Sequence, residues 1–134
     1  MTRREARELA FILLFERSFG EQTVEDILNA SEEARDVEAD EFARELACGA
    51  EEYILQIDEK IAECSLNWSK TRISRVAMAV MRVAVYEMVY VDSIPVSVSI
   101  NEAVELAKKY GGDDDPSFVN GVLGGIARKL PAGE

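Results

Sequence analysis

The 134-residue chain contains no histidine, two cysteines and three prolines. Without histidine, Ser-His and Cys-His nucleophilic pairs cannot form, the commonest general base is missing, and nearly all zinc sites are excluded. Two cysteines are also too few for a zinc site with four thiolate ligands. The many carboxylates fall on predicted helix faces, with no evident apolar pocket that would separate their pKa values. We therefore expect a protein that is not an enzyme and that carries no metal and no cofactor.

Long hydrophobic runs are also scarce. The longest nearly apolar segment, 76–91, is interrupted by Arg82 and Glu87 and is shorter than the ~20 apolar residues that a membrane span needs. The N-terminal run FILLF (11–15) is too short for the apolar region of a signal peptide, and no small-residue cleavage site follows it. We expect a cytoplasmic protein with no membrane partner.

The net charge of −11 is concentrated in one part of the chain. Residues 21–63 hold 15 acidic and 3 basic side chains, a net charge of −12, whereas the remainder holds 12 basic and 11 acidic ones. Local charge decides whether a surface accepts phosphate, so the remainder of the chain can still present a basic patch to nucleic acid.

Few prolines, no hairpin signal and apolar spacings of three and four predict an all-α protein: one domain over 1–134, a compact bundle of about six to seven helices. Thr2 and Glu5 form a capping box that opens a helix running to about residue 19, with Gly20 at its C-terminus. Further helices are predicted at about 24–30, 37–62, 71–91, 96–110 and 115–130.

Three local details accompany these boundaries. Cys48 and Cys64 are placed on one long helix, roughly 24 Å apart at ~1.5 Å rise per residue, so they are expected to be free thiols. The segment VSVSI (96–100) alternates like a strand, but its apolar stripe continues with helical spacing and favours a helix. Asp115 and Pro116 are predicted as the N-cap and first residue of the last helix.

The N-terminal segment TRREAR (2–7) is the first candidate binding site. Arg3, Arg4 and Arg7 fall within about 100° of one another on a helical wheel. Arginines in a first turn oppose the positive end of the helix dipole, at a cost of a few tenths of a kcal/mol each. Such a placement favours an anionic partner such as phosphate, although a solvated charged face explains it as well.

A second candidate lies on the predicted 71–91 helix. Arg72, Arg75, Arg82 and Tyr86 fall within ~80° of one another, which fits a strip for phosphate binding and base stacking. The alternative is that they form the solvent-facing edge of a buried helix. Glu87 falls inside the apolar arc and, if buried, needs an ion pair or helix-end amide groups as partners.

Four segments stand out along the sequence: RREARELAFILLFE, RISRVAMAVMRVAVYEM, IPVSVSINEAVELAKKYG and SFVNGVL. In their order and spacing they resemble the NusB family, the bacterial N-utilisation substance B antitermination factors. The resemblance covers nearly the whole chain, and its two C-terminal motifs are specific. The acidic middle, from about 21 to 66, carries little of it.

The resemblance implies an all-helical fold in two packed halves and no enzymatic activity. It also implies binding to the boxA element of ribosomal RNA leader transcripts, jointly with a small-subunit ribosomal protein called NusE, in an antitermination complex with RNA polymerase. The family's arginine-rich start corresponds to Arg3, Arg4 and Arg7, a position that tunes the partner surface to Asp114, and an RNA-side aromatic to Phe118; Arg82 also matches. The expected RNA-binding residues are therefore Arg3, Arg4, Arg7, Arg72, Arg75, Arg82, Tyr86, Asp114 and Phe118.

Two questions stay open at the level of sequence. A helical protein-interaction adaptor without RNA binding is the rival function, and the salt dependence of binding separates the two. The oligomeric state is not determined, so a homodimer remains an alternative. Within INEAVELAK (100–108), Asn101 is expected to brace its helix through a hydrogen bond to loop backbone rather than to contact RNA.

Overall fold

The computed structural model describes residues 1–35, 40–65 and 73–131, and within these ranges every regular element is a helix. The all-α prediction is confirmed, and the segment VSVSI is helical rather than extended. The described helices are α1 (Arg3–Arg17), α2 (Val24–Arg35), α3 (Glu41–Glu52), α4 (Ile54–Cys64), α5 (Arg75–Tyr90), α6 (Val96–Tyr110) and α7 (Asp115–Lys129).

Local side-chain caps fix where the first helices begin. The Thr2 hydroxyl accepts a hydrogen bond from the Glu5 backbone N–H at 3.1 Å, and the Glu5 carboxylate accepts one from the Thr2 N–H at 2.8 Å. This confirms the predicted capping box. Thr23 and Asp26 repeat the reciprocal arrangement at the start of α2. Each pair satisfies backbone donors that a helix N-terminus leaves without partners.

The long acidic helix predicted at 37–62 is wrong, because the chain turns at Tyr53 and forms two helices. The Tyr53 ring stacks on Tyr90 of α5 with ring centroids 4.5 Å apart. The turn lets α3 pack against α1 and α5 while α4 packs against α7, which one straight helix cannot do. Cys48 and Cys64 therefore lie on different helices, and both are free. Burial raises the pKa of the Cys48 thiol to about 11.

Other boundaries shift by a few residues. α1 ends at Arg17 with Ser18 as its C-cap, and α2 continues five residues beyond its predicted end. Asp115 is the first residue of α7 rather than its N-cap, because its carboxylate instead accepts hydrogen bonds from the Gly112 N–H and the Ser74 hydroxyl, both at 3.0 Å. The predicted break around Trp68 and the predicted start at residue 71 lie outside the described residues.

The most apolar helix, α5, occupies the centre of the bundle, as its sequence predicted. It packs against α1, α3, α4, α6 and α7, and ten of its sixteen residues are buried. Helices α1–α3 pack on one another on one side, and α6 and α7 pack on each other and on α5 on the other. This agrees with the expected two packed halves. The central helix α5 therefore packs against both the first helix, α1, and the last described helix, α7.

Gly49 of α3 packs directly against Tyr86 of the central helix α5, a contact that the sequence pattern does not reveal. A Cβ atom added at Gly49 would overlap the ring of Tyr86, which lies on the bare backbone. At Gly124 of α7, an added Cβ would meet only the end of the Arg128 side chain, at 3.6 Å. The close approach of Tyr86 therefore requires a glycine at Gly49, whereas the space around Gly124 can accept an alanine.

Gly49→Ala is expected to destabilise the protein by about 1 to 3 kcal/mol, because the buried Tyr86 ring must move. Gly124→Ala is the matched control and is expected to stabilise it by about 0.5 to 1 kcal/mol, the usual gain in helix propensity. Urea unfolding of both variants measures the difference. Equal stabilisation by both substitutions would contradict the contact between Gly49 and Tyr86.

Candidate nucleic-acid interface

The three N-terminal arginines start from one helix face but lie in three different environments. Arg3 is exposed, with its guanidinium carbon 4.0 Å from the centre of the Phe42 ring. The Arg4 side chain is 74% exposed and binds Glu102 of α6 through two parallel hydrogen bonds, of 3.1 and 2.8 Å. Arg7 is buried, at 7% exposure. The surface arginines of this site are therefore Arg3 and Arg4.

Arg7 belongs to a buried ion-pair network. Its Nε donates to Glu87 at 2.8 Å, and the other Glu87 oxygen accepts a hydrogen bond from the Ser99 hydroxyl at 2.6 Å. Glu87 is 1% exposed, which confirms that it is buried with an ion-pair partner. Arg7 Nη1 also lies 3.5 Å from Glu102. A buried carboxylate needs such partners, so Arg7 joins α1 to α5 and α6 and is not presented to an RNA phosphate.

A surface cleft of about 480 Å³ lies beside Arg4, between the first turns of α1 and the second half of α6. Its lining includes four basic and four acidic side chains. Lys109 and Tyr110 donate to Glu8 and hold the pKa of that carboxyl below its usual value, while Lys108 lies 3.7 Å from Glu105. The predicted basic patch is thus a charge-balanced cleft. Its lining residues are Arg4, Glu5, Arg7, Glu8, Glu102, Glu105, Leu106, Lys108 and Lys109.

The sequence-based site did not include Lys108, Lys109 and Glu102. Lys108 and Lys109 form an adjacent basic pair in the last turn of α6. Basic side chains there interact favourably with the negative end of the helix dipole. The sequence offers only this local explanation for the two lysines. Their position beside the start of α1 becomes visible only in the tertiary structure.

The arginines of the second candidate strip face protein partners. Arg75 donates to the Ser18 carbonyl at 2.6 Å, and its guanidinium lies 4.6 Å from the centre of the Phe19 ring. Arg82 binds Asp58 through two hydrogen bonds, of 2.9 and 2.8 Å. Arg72 lies outside the described residues. The described part of the strip therefore fits the alternative of arginines that pack and pair along the edge of a buried helix.

The two aromatic candidates are buried. Tyr86 is 8% exposed, and its hydroxyl donates weakly to Glu45 at 3.4 Å. Phe118 is 4% exposed and belongs to the hydrophobic core. A base stacks on an open ring face, so this placement disagrees with the expected stacking role of both residues. Asp114 is exposed immediately before α7, and its side chain does not cap the helix.

The expected bracing role of Asn101 is wrong. Its side chain is exposed and makes no hydrogen bond to any residue in the described ranges. The next residue, Glu102, makes the bracing contact instead, since it binds Arg4 and approaches Arg7 across the cleft. Arg4 lowers the pKa of the Glu102 carboxyl through this hydrogen bond. The motif residue that joins α6 to α1 is therefore the carboxylate.

Among the described residues, no helix combines the length and the apolar character needed to cross a membrane. The same residues contain no group of three side chains able to hold a metal ion. The fold and the site define an all-helical protein whose candidate binding surface is a charged cleft beside its N-terminal helix.

Comparison with known proteins gives a consistent result. The NusB family model matches residues 4–128. The transcription antitermination protein NusB of Bacillus velezensis is 46% identical over 127 residues, covering 94% of this chain and 95% of that protein, and the one from Clostridium novyi is 37% identical over 132 residues, covering 96% and 99%. The chain belongs to the NusB family of transcription antitermination factors.

Solved structures agree with the fold. NusB from T. maritima superposes with a TM-score of 0.81 at 34% identity, covering 96% of this chain and 92% of that one. A crystal structure of the antitermination factors NusB and NusE in complex with double-stranded RNA matches with a TM-score of 0.81 at 25% identity, covering 96% and 97%.

Proposed function

We propose that this protein is a non-catalytic RNA-binding factor that binds the boxA element of ribosomal RNA leader transcripts together with the small-subunit ribosomal protein NusE. The observation that supports it most is the pair of exposed guanidiniums, Arg3 and Arg4, in the first turn of α1. The similarity of this chain to a NusB that was crystallised with NusE and RNA also supports the proposal.

The geometry of the two arginines suits phosphate. The exposed Arg3 side chain places its guanidinium carbon 4.0 Å from the centre of the Phe42 ring. The exposed Arg4 guanidinium presents its Nε and Nη2 edge to the two carboxylate oxygens of Glu102, in the arrangement that a phosphate can also take. Guanidinium groups bind phosphate oxygens through such edges, and the nearby start of α1 adds a favourable dipole. We place the RNA backbone across this turn, in a complex that works with RNA polymerase.

Replacing Arg3 and Arg4 together with alanine is expected to weaken boxA binding and to flatten its salt dependence. Each phosphate contact to single-stranded RNA contributes ~0.7 to the log–log salt slope, so losing two contacts should lower its magnitude by about 1.4. Fluorescence anisotropy with a labelled boxA oligonucleotide, with and without NusE, measures this at several salt concentrations.

The matched control replaces Arg128 and Lys129, two exposed basic residues at the end of α7, with alanine. This variant loses the same two charges outside the cleft and should retain most of the salt slope. Equal slopes for the Arg3/Arg4 variant and the parent protein, at equal affinity, would refute phosphate binding by this turn.

A protein-interaction adaptor without RNA binding is the second candidate, and a different surface favours it. An open cleft of about 820 Å³ lies between the α5–α6 connection and the end of α7. Its lining is mostly apolar, with Asp92 as its one acidic or basic residue among the described residues. NusE binding that is insensitive to salt, together with no RNA binding at any salt concentration, would favour the adaptor. The residues that line this apolar cleft are Met88, Val89, Val91, Asp92, Ser93, Ile94, Pro95, Val96, Ala127, Leu130 and Pro131.

A further inference from the structure

We propose that Glu102 is a specificity-determining residue of this site, because its carboxylate occupies the guanidinium edge of Arg4 that an RNA phosphate would bind. The inference rests on the proposed RNA binding and adds a competitor built into the protein. In the free protein the carboxylate satisfies Arg4, and an RNA phosphate must displace it to form the same pair of hydrogen bonds.

The geometry of the pair supports direct competition. Nε and Nη2 of Arg4 donate to the two oxygens of Glu102 in the parallel arrangement that guanidinium groups also form with phosphate. A phosphate cannot approach that edge while the carboxylate holds it. The cost of displacement is modest, since the Arg4 side chain is 74% exposed and exposed ion pairs are weak.

Glu102 differs in this respect from Glu87, the other carboxylate of the network. Glu87 is fully enclosed and holds both Arg7 and Ser99, so releasing it would leave a buried charge without partners. The Glu102 side chain is 14% exposed and borders the open cleft, and Arg7 Nη1 lies 3.5 Å from it. When Arg4 leaves, Glu102 keeps Arg7 as its neighbour. The exchange can therefore take place without opening the core.

The charge balance of the cleft gives the competition a function. The basic side chains of this cleft have carboxylate partners, so a lone phosphate gains little by exchanging one partner for another. A longer RNA held at several points, or by a second protein, gains enough to displace Glu102. The carboxylate thus selects against isolated anions and weakly held RNA.

Glu102→Gln tests this inference. The amide keeps the size of the side chain but loses its charge, so the Arg4 edge becomes available to phosphate. Binding of the labelled boxA oligonucleotide should tighten about threefold or more, while the log–log salt slope should stay close to that of the parent, because Arg4 contacts phosphate in both complexes. Far-ultraviolet circular dichroism and a thermal melt verify that the variant is folded.

Two further variants separate competition from a general charge effect. Glu105→Gln removes the same charge from the same cleft but leaves the Arg4–Glu102 pair intact, and it should change affinity less than Glu102→Gln does. In an Arg4→Ala background, Glu102→Gln should lose most of its effect, because coupled residues behave non-additively in a double-mutant cycle.

The outcomes distinguish this inference from the function on which it rests. If the parent binds boxA RNA and Glu102→Gln binds no more tightly, or gains no more than Glu105→Gln, Glu102 is only a structural partner and RNA binding stands. An equal gain with and without Arg4 also overturns the inference. If neither the parent nor Glu102→Gln binds the RNA, with or without NusE, the proposed function and this inference both fail.

Discussion

Replacing Arg7 with alanine is expected to lower the free energy of unfolding by about 3 to 5 kcal/mol. The substitution leaves Glu87 buried at 1% exposure with only the Ser99 hydroxyl as a hydrogen-bond donor, and an uncompensated buried charge is costly. Urea unfolding followed by circular dichroism measures the change.

Arg4→Ala is the matched control, because it removes the same side chain from the same helix turn but breaks an exposed ion pair, worth at most about 1 kcal/mol. Glu87→Gln in the Arg7→Ala background should recover part of the loss, since it removes the stranded charge. Similar destabilisation by Arg7→Ala and Arg4→Ala would contradict the buried network.

Phe118→Ala is expected to destabilise the protein by about 3 to 5 kcal/mol, because it removes a ring that is 4% exposed in the hydrophobic core. The resemblance instead implies an RNA-side aromatic, whose loss would cost ~1–3 kcal/mol of stacking without unfolding the protein. Chemical denaturation and RNA binding, measured on the same preparation, distinguish the two roles.

Phe118→Leu separates them further. Leucine fills much of the volume and should cost less than about 1.5 kcal/mol in stability, but it cannot stack on a base. RNA affinity close to the parent's supports a core role. A stable Phe118→Leu protein that has lost RNA affinity would instead show that the ring leaves the core when RNA binds.

The burial of Arg7 decides which substitutions can test RNA binding by the N-terminal arginines. From sequence, replacing Arg3, Arg4 and Arg7 together looks safe, because like charges would leave the positive end of the helix dipole. The buried contact of Arg7 with Glu87 makes that triple substitution a test of folding as much as of binding. Substituting Arg3 and Arg4 alone removes only exposed guanidiniums, so a loss of RNA affinity can be assigned to the surface.

Local patterns determined much of the fold. The Thr2–Glu5 capping box, the start of α6 after Pro95 and the central place of the apolar α5 all follow from interactions within a few residues, or from hydrophobic spacing. The need of Glu87 for a partner also follows from sequence, because a carboxylate inside an apolar arc is costly when unpaired.

The tertiary structure alone decided which partners these residues have. The apolar spacing of 37–62 suits one helix, and only the separate packing surfaces of α1, α5 and α7 explain the turn at Tyr53. Similarly, a helical wheel places Arg3, Arg4 and Arg7 on one face but cannot say which helices cover it. Their division into one stacked, one paired and one buried arginine arises from α3, α5 and α6, whose positions depend on contacts between residues about 40 to 100 positions apart.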